Sequence, residues 1–150
     1  MEENNSKKYK IGIIGSRTYT NYDEMHQYLD TKLDKIEMII SGGCKGADEG
    51  GRIYAQKRGL PCLIFYPKWR DKDNNFWKGA GFARDAEIVK ASDLIISYWD
   101  GQSRGTKHTM DLAEKYGKKI IIHYFKPEEQ IEQLKEKEIS EPTTKEESEF

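Results

Sequence analysis

Apolar residues along this chain gather in five short runs, separated by stretches in which they recur every three or four positions. The runs are Tyr9 to Ile14, Ile36 to Ile40, Pro61 to Tyr66, Asp93 to Tyr98 and Lys119 to Phe125. Each has strand length and predicts a buried β-strand. Tyr22, Met25, Leu29 and Leu33 fall at helical spacing and predict a helix through Lys35, opened by a capping box of Asn21 and Glu24. A second helix is predicted over Ala47 to Arg58, ended by Gly59 as its C-terminal cap. Gly50 and Gly51 in its first turns cost helix stability, so their presence predicts close approach of helix and sheet. Gly81 to Ala91 reads as a third helix with Phe82, Ile88 and Val89 inward. A fourth runs from about Thr106 to Tyr116, capped by Gly117. Pro67 to Lys78, with Trp69, Phe76 and Trp77, is the longest irregular stretch, of a length that is often functional. Strand and helix alternate throughout, which predicts a parallel sheet with helices on both faces. No internal repeat interrupts that order.

The ends differ from this middle. Residues 1–8 are polar and expected to be disordered; 9–125 form one domain; 126–139, with Ile131 and Leu134, predict an amphipathic helix; 140–150 read as a disordered acidic tail. At 150 residues, with 36% hydrophobic and 34% charged side chains, the chain is long enough for one real core. No apolar run approaches the ~20 residues that a bilayer span needs, so no membrane partner is expected. Met1 to Lys10 lacks the apolar region of a signal peptide, and Cys44 and Cys62 form no disulfide framework or metal spacing. The expected location is therefore the cytoplasm. Charge is uneven: residues 126–150 hold nine Glu and four Lys, a net of −5, which leaves 21 basic and 17 acidic side chains, a net of +4, on residues 1–125. That surplus suits a small anion. It is too weak to argue for nucleic acid, which is set aside as a partner.

The chemistry concentrates in the turns that follow strands. Ser41-Gly42-Gly43-Cys44-Lys45-Gly46-Ala47-Asp48 joins the second strand to a helix start. Glycines there free the backbone to approach a ligand, and the first helical amides favour an anion. The spacing is neither the dinucleotide fingerprint nor a Walker loop. Gly15-Ser16-Arg17 follows the first strand, where Arg17 would bind phosphate and Ser16 donate a hydroxyl; a solvated arginine and a turn cap are the plainer alternatives. Trp99 to Thr106 follows the fourth strand, and its Ser103-Arg104-Gly105-Thr106 repeats the design of small residues before a helix. Parallel topology puts all three turns on one sheet edge. Asp48 is either a compensating acid for the helix dipole or an acceptor for a ribose hydroxyl. Trp69, Trp77 and Trp99 flank the edge, where a base could stack, although burial is the ordinary fate of tryptophan. His108 and Asp111 lie one turn apart and form a conceivable general-base pair or a surface contact. His26, His108 and His123 fall on different elements and make no metal set.

The ordered set Gly15-Ser16-Arg17, Ser41-Gly42-Gly43 with Gly46-Ala47-Asp48, Pro67 and Trp69, Gly81 with Arg84-Asp85, and Trp99-Asp100-Gly101 with Ser103, Gly105 and Thr106 resembles the SLOG superfamily. The likeness is to its small stand-alone branch related to YspA and YpsA, and it covers about residues 9–125. It implies a Rossmann-like fold, a three-layer α/β/α arrangement with strand order 3-2-1-4-5. It also implies a nucleotide or NAD-derived ligand such as an ADP-ribose derivative, sensed, carried or sequestered, and a homo-oligomer. No cofactor is required. The expected ligand residues are Gly15, Ser16, Arg17, Gly42, Gly43, Lys45, Gly46, Asp48, Trp69, Arg84, Trp99, Ser103, Gly105 and Thr106. The Lonely Guy phosphoribohydrolases of the same superfamily suggest an alternative, N-glycosidic cleavage with Arg84, His108 and Asp111 as catalytic candidates. Their catalytic glutamate falls on His108 here. DNA-processing protein A, with similar Gly-Ser-Arg and Ser-Gly loops, suggests a further alternative, single-stranded DNA binding.

Overall fold

The chain runs β1 (Tyr9–Gly15), α1 (Tyr22–Asp30), a 3-10 turn (Leu33–Lys35), β2 (Ile36–Ser41), α2 (Ala47–Arg58), β3 (Cys62–Ile64), α3 (Ala80–Ala91), β4 (Leu94–Trp99), α4 (Arg104–Lys115) and β5 (Lys119–Tyr124). The computed structural model describes residues 7–127. The expected helix over 126–139 and the tail over 140–150 lie outside them, apart from Lys126 and Pro127. The five strands form one parallel sheet in the order β3-β2-β1-β4-β5, as the motif resemblance implied. Strand order reverses between β1 and β4, so a crevice opens beyond the carboxyl ends of these two strands.

Alternation along each strand divides the core into two layers. Ile11, Ile13, Ile39, Leu94 and Ile96 pack with Met25 and Leu29 of α1 and with Tyr54 and Ala55 of α2. Ile14, Ile40 and Ile95 face the other way, against Ile88 and Val89 of α3 and Met110 and Ala113 of α4. Each fully buried side chain of this size contributes about 1.5–3 kcal/mol. The glycines of α2 serve this packing: a Cβ on Gly51 would lie 2.8 Å from the Cβ of Ile13, and one on Gly50 would meet Tyr22 and Met25 of α1.

Four local details differ from the sequence pattern. The first helix ends at Asp30 rather than Lys35, because Thr31 turns both its N–H (3.1 Å) and its hydroxyl (2.6 Å) onto the Tyr28 carbonyl. That tightens the last turn, and Leu33–Lys35 form a separate 3-10 turn. β3 is shorter than its apolar run. Its pairing still extends past both ends, through Ile39 N–H to Pro61 O and Phe65 N–H to Ser41 O. The stretch 67–78 forms no helix or strand, as expected, but is folded on itself as a small hairpin closed by a single bridge. Trp77 N–H donates to Trp69 O (2.7 Å), Arg70 bridges antiparallel to Phe76, and Asp71 Oδ1 accepts the N–H groups of Asp73 and Asn75. Phe82 points outward and is 59% exposed, its ring tilted against His108. Arg84, Asp85 and Ile88 take the inward side of α3 instead.

Candidate functional site

Ser16 stitches the three turns together. Its N–H donates to Tyr98 O at the end of β4 (2.9 Å), its carbonyl accepts from Ala47 N–H at the start of α2 (3.3 Å), and its Oγ accepts from Asp100 N–H (3.2 Å). Gly46 makes the second of these contacts feasible. It has φ 81°, and a Cβ there would lie 2.6 Å from Arg17 Cα and closer still to Ser16 O. Gly46→Ala must therefore push the β1 and β2 turns apart. It is expected to cost about 1–3 kcal/mol, read as a lowered urea midpoint. An unchanged midpoint would mean that the turns are not locked at this point.

The turns leaving β1, β2 and β4 surround one pocket of about 390 Å³. Gly15, Ser16, Arg17, Asp48, Arg84, Ser103, Gly105 and Thr106 line it, together with Thr18, Cys44, Asp85, Asp100 and Thr109. The remaining residues named from the sequence lie elsewhere. Gly42 sits behind the wall and offers its carbonyl to Arg84 Nη1. Gly43 and Lys45 line a side cavity of about 210 Å³ that shares Cys44 and Asp48 with the pocket and is closed by Glu49, Arg52 and Tyr66. Trp99 is structural, with its indole N–H donating to Ser103 O (3.0 Å). Trp69 belongs to the hairpin, stacked on Phe76. His108 faces Phe82, its Nε2 buried without a partner among the described residues, and Asp111 pairs with Lys107 at 2.8 Å on the exposed side. The two do not form a pair, and neither lines the pocket. Among the described residues no group of His, Cys, Asp and Glu could hold a metal ion.

The electrostatics of the pocket are mixed. Arg84 is nearly buried. It donates from Nε to Asp85 Oδ1 (2.9 Å), and although burial opposes its charge, the Asp85 carboxylate restores it. Asp48 is buried beside it and accepts from Cys44, whose N–H lies at 3.3 Å, and burial outweighs this and pushes its carboxyl up to about 7. Burial also raises Asp100. The N–H groups of Gln102 and Ser103 outweigh that effect and hold its carboxyl below the usual range. Asp85 and Asp100 are thus tied into the walls. Arg17 stands at the exposed mouth, and the N-terminus of α4 opens beside it, where Ser103 caps Thr106 N–H. An anion is the species these groups receive best. Thr18 and Thr109 carried no motif in the sequence; Asp100 did, as the Asp-Gly turn that orders Gln102 and Ser103.

A Rossmann-like sheet with its crevice at the reversal of strand order defines the class. No protein-family model matches the chain. Gene 61 protein of Mycobacterium phage D29 is similar, at 28% identity over 124 residues, covering 79% of this chain and 98% of the phage protein. Among solved structures, DNA processing protein A from Streptococcus pneumoniae matches 84% of this chain with a TM-score of 0.67 at 14% identity. DNA processing protein A from Helicobacter pylori, described for its single-stranded DNA binding mode, matches 89% with a TM-score of 0.58 at 23% identity. The chain spans 56% of the length of the first and 75% of the second. At these identities the likeness is one of fold. It also corrects one expectation: nucleic acid was set aside as a partner on the weak basic surplus, yet the structural neighbours are DNA-processing proteins. The physical reason is that net charge averages over a surface, whereas a polynucleotide meets a local one. Among the described residues no helix is long and apolar enough to cross a membrane.

Proposed function

We propose that the chain binds single-stranded DNA, with the pocket at the sheet edge taking one phosphate-bearing nucleotide unit of the strand. The observation that carries this is the convergence of Arg17, the α4 N-terminus and the Ser103 and Thr106 hydroxyls on a single opening. The structural likeness to a protein described as binding single-stranded DNA supports it. Arg17 is the group that reaches the phosphate, since it is exposed and among the described residues has only a weak contact, 3.9 Å, to Cys44 Sγ. Arg84 holds the wall and lends charge from below. Titration of a labelled oligothymidine by fluorescence anisotropy tests the reading. Arg17→Ala is expected to weaken binding about tenfold, the loss of one charge-assisted contact, and to lower the salt slope by about 1. Failure of the wild-type chain to bind at low salt would overturn the proposal.

A second reading keeps the same pocket for a free nucleotide or ADP-ribose derivative that the protein senses, carries or sequesters. The pocket volume of about 390 Å³ favours it, being suited to a single small ligand rather than to a chain. The placement in the stand-alone SLOG branch belongs to this reading. Thermal stabilisation by mononucleotides without oligonucleotide binding would select it.

A further inference from the structure

We infer that the hairpin over 67–78 is a second contact for the same single strand, in which the stacked pair Trp69–Phe76 receives bases and the basic side chains around it receive phosphates. The inference rests on the DNA-binding reading above and extends it from the pocket to a surface that the pocket does not include.

Trp69 and Phe76 stand on opposite arms of the hairpin with their rings 5.9 Å apart and only 3° from parallel. Both remain open, 46% and 59% exposed, and Trp77 beside them is 45% exposed. Large aromatic rings held parallel and wet are not core residues. They offer flat faces to another flat group, and base stacking on such faces tolerates any sequence. The platform is built rather than floppy. The Asp71 carboxylate fixes the turn by accepting two backbone N–H groups, and Asn74 takes φ 67° to close it. Asp71 is thereby spent on the turn. The segment carries Lys68, Arg70, Lys72 and Lys78 against Asp71 and Asp73, a local basic excess around exposed aromatics. That combination fits a polyanion with bases and argues against an apolar protein partner.

The hairpin is also continuous with the pocket. Tyr66, at its root and 62% exposed, lines the side cavity that shares Cys44 and Asp48 with the main pocket. On the other side, a Cβ on Gly81 would lie 3.8 Å from the Trp69 ring, so the indole rests near the first turn of α3, one turn before Arg84. A strand seated in the pocket by one phosphate therefore has stacking surface at hand where it leaves.

The test compares oligothymidines of about 4 and about 16 nucleotides. Trp69→Ala/Phe76→Ala is expected to weaken the longer strand about tenfold and the shorter one far less, whereas Arg17→Ala weakens both. Trp69→Tyr/Phe76→Tyr should keep most of the wild-type affinity for the longer strand, because it keeps both stacking faces. The aromatic substitutions are at exposed positions, and an unchanged melting temperature checks that the fold persists. If the double variant binds the longer strand like the wild type, the hairpin has no such role while the pocket reading stands. If the wild-type chain binds neither length, both fail. If the variant instead abolishes concentration-dependent self-association in sedimentation and leaves DNA binding alone, the face belongs to a second copy of the chain and the inference is overturned.

Discussion

Arg84→Ala is expected to destabilise the fold by about 3–5 kcal/mol, a large part of the roughly 5–15 kcal/mol that holds a domain together. The side chain is nearly buried at the sheet edge and has two fixed partners, the Asp85 carboxylate and the Gly42 carbonyl, with Asp48 a further acid in the same wall. Removing it leaves Asp85 as a buried charge with no counter-ion and Gly42 with an unmet acceptor. The cost is thus one of stranded partners more than of lost attraction. Urea unfolding should show a lower midpoint at an unchanged slope. The double variant Arg84→Ala/Asp85→Ala is expected to recover part of the loss, because it removes the stranded charge as well. If the single and double variants lose the same stability, the penalty lies in packing and not in the charge pair. DNA binding should weaken in both, since neither keeps a cation under the pocket.

How much of this was written in the sequence depends on what carries each feature. The sheet was legible because β-branched runs alternate with helical periods, and burial on both faces demands continuous apolar strands such as Ile11 to Ile14. Its boundaries were less so, since one hydroxyl at Thr31 is enough to end a helix whose apolar period continues to Leu33. The pocket loops announced themselves through glycine and arginine after strands. The direction that helical side chains face did not. His108 and Asp111 share a helix at a spacing of three, but Asp111 has Lys107 four residues before it, and that local pair draws it outward. Phe82 reads as core by hydrophobicity and is displaced because Arg84, Asp85 and Ile88 occupy the inward side of α3. The hairpin carried turn residues, Asp71 to Asn75, without a glycine, so its register became visible only through the Asp71 hydrogen bonds. The basic excess around the exposed aromatics of 67–78 was hidden by summing charge over the whole domain.

Asp48→Asn is expected to make the protein more stable than the wild type above neutral pH and to flatten its pH dependence. In the unfolded chain an aspartate ionises near 3.8, and burial raises Asp48 to about 7 in the fold. Below the lower value both states are protonated and the group has no effect. Above the upper value the folded chain must hold a buried anion that the unfolded chain would solvate. In between, the folded state binds a proton that the unfolded state has released, so stability declines as pH rises through this window. The gap corresponds to a loss on the order of 4 kcal/mol when complete. Asp30 and Asp100 act in the opposite sense, because their folded carboxyls are held low and their contribution is lost as pH falls. The difference between wild type and variant, followed by thermal melts from about pH 5 to about pH 8, isolates Asp48 from both. Asparagine keeps an oxygen for the Cys44 N–H, so the loop contact survives. Equal slopes for the two proteins would show that Asp48 ionises freely. The same proton bears on binding. A phosphate entering beside Asp48 penalises its ionised form further, so above about pH 7 the strand binds with uptake of a proton. Wild-type affinity should then fall as pH rises, while the asparagine variant holds its affinity across the range.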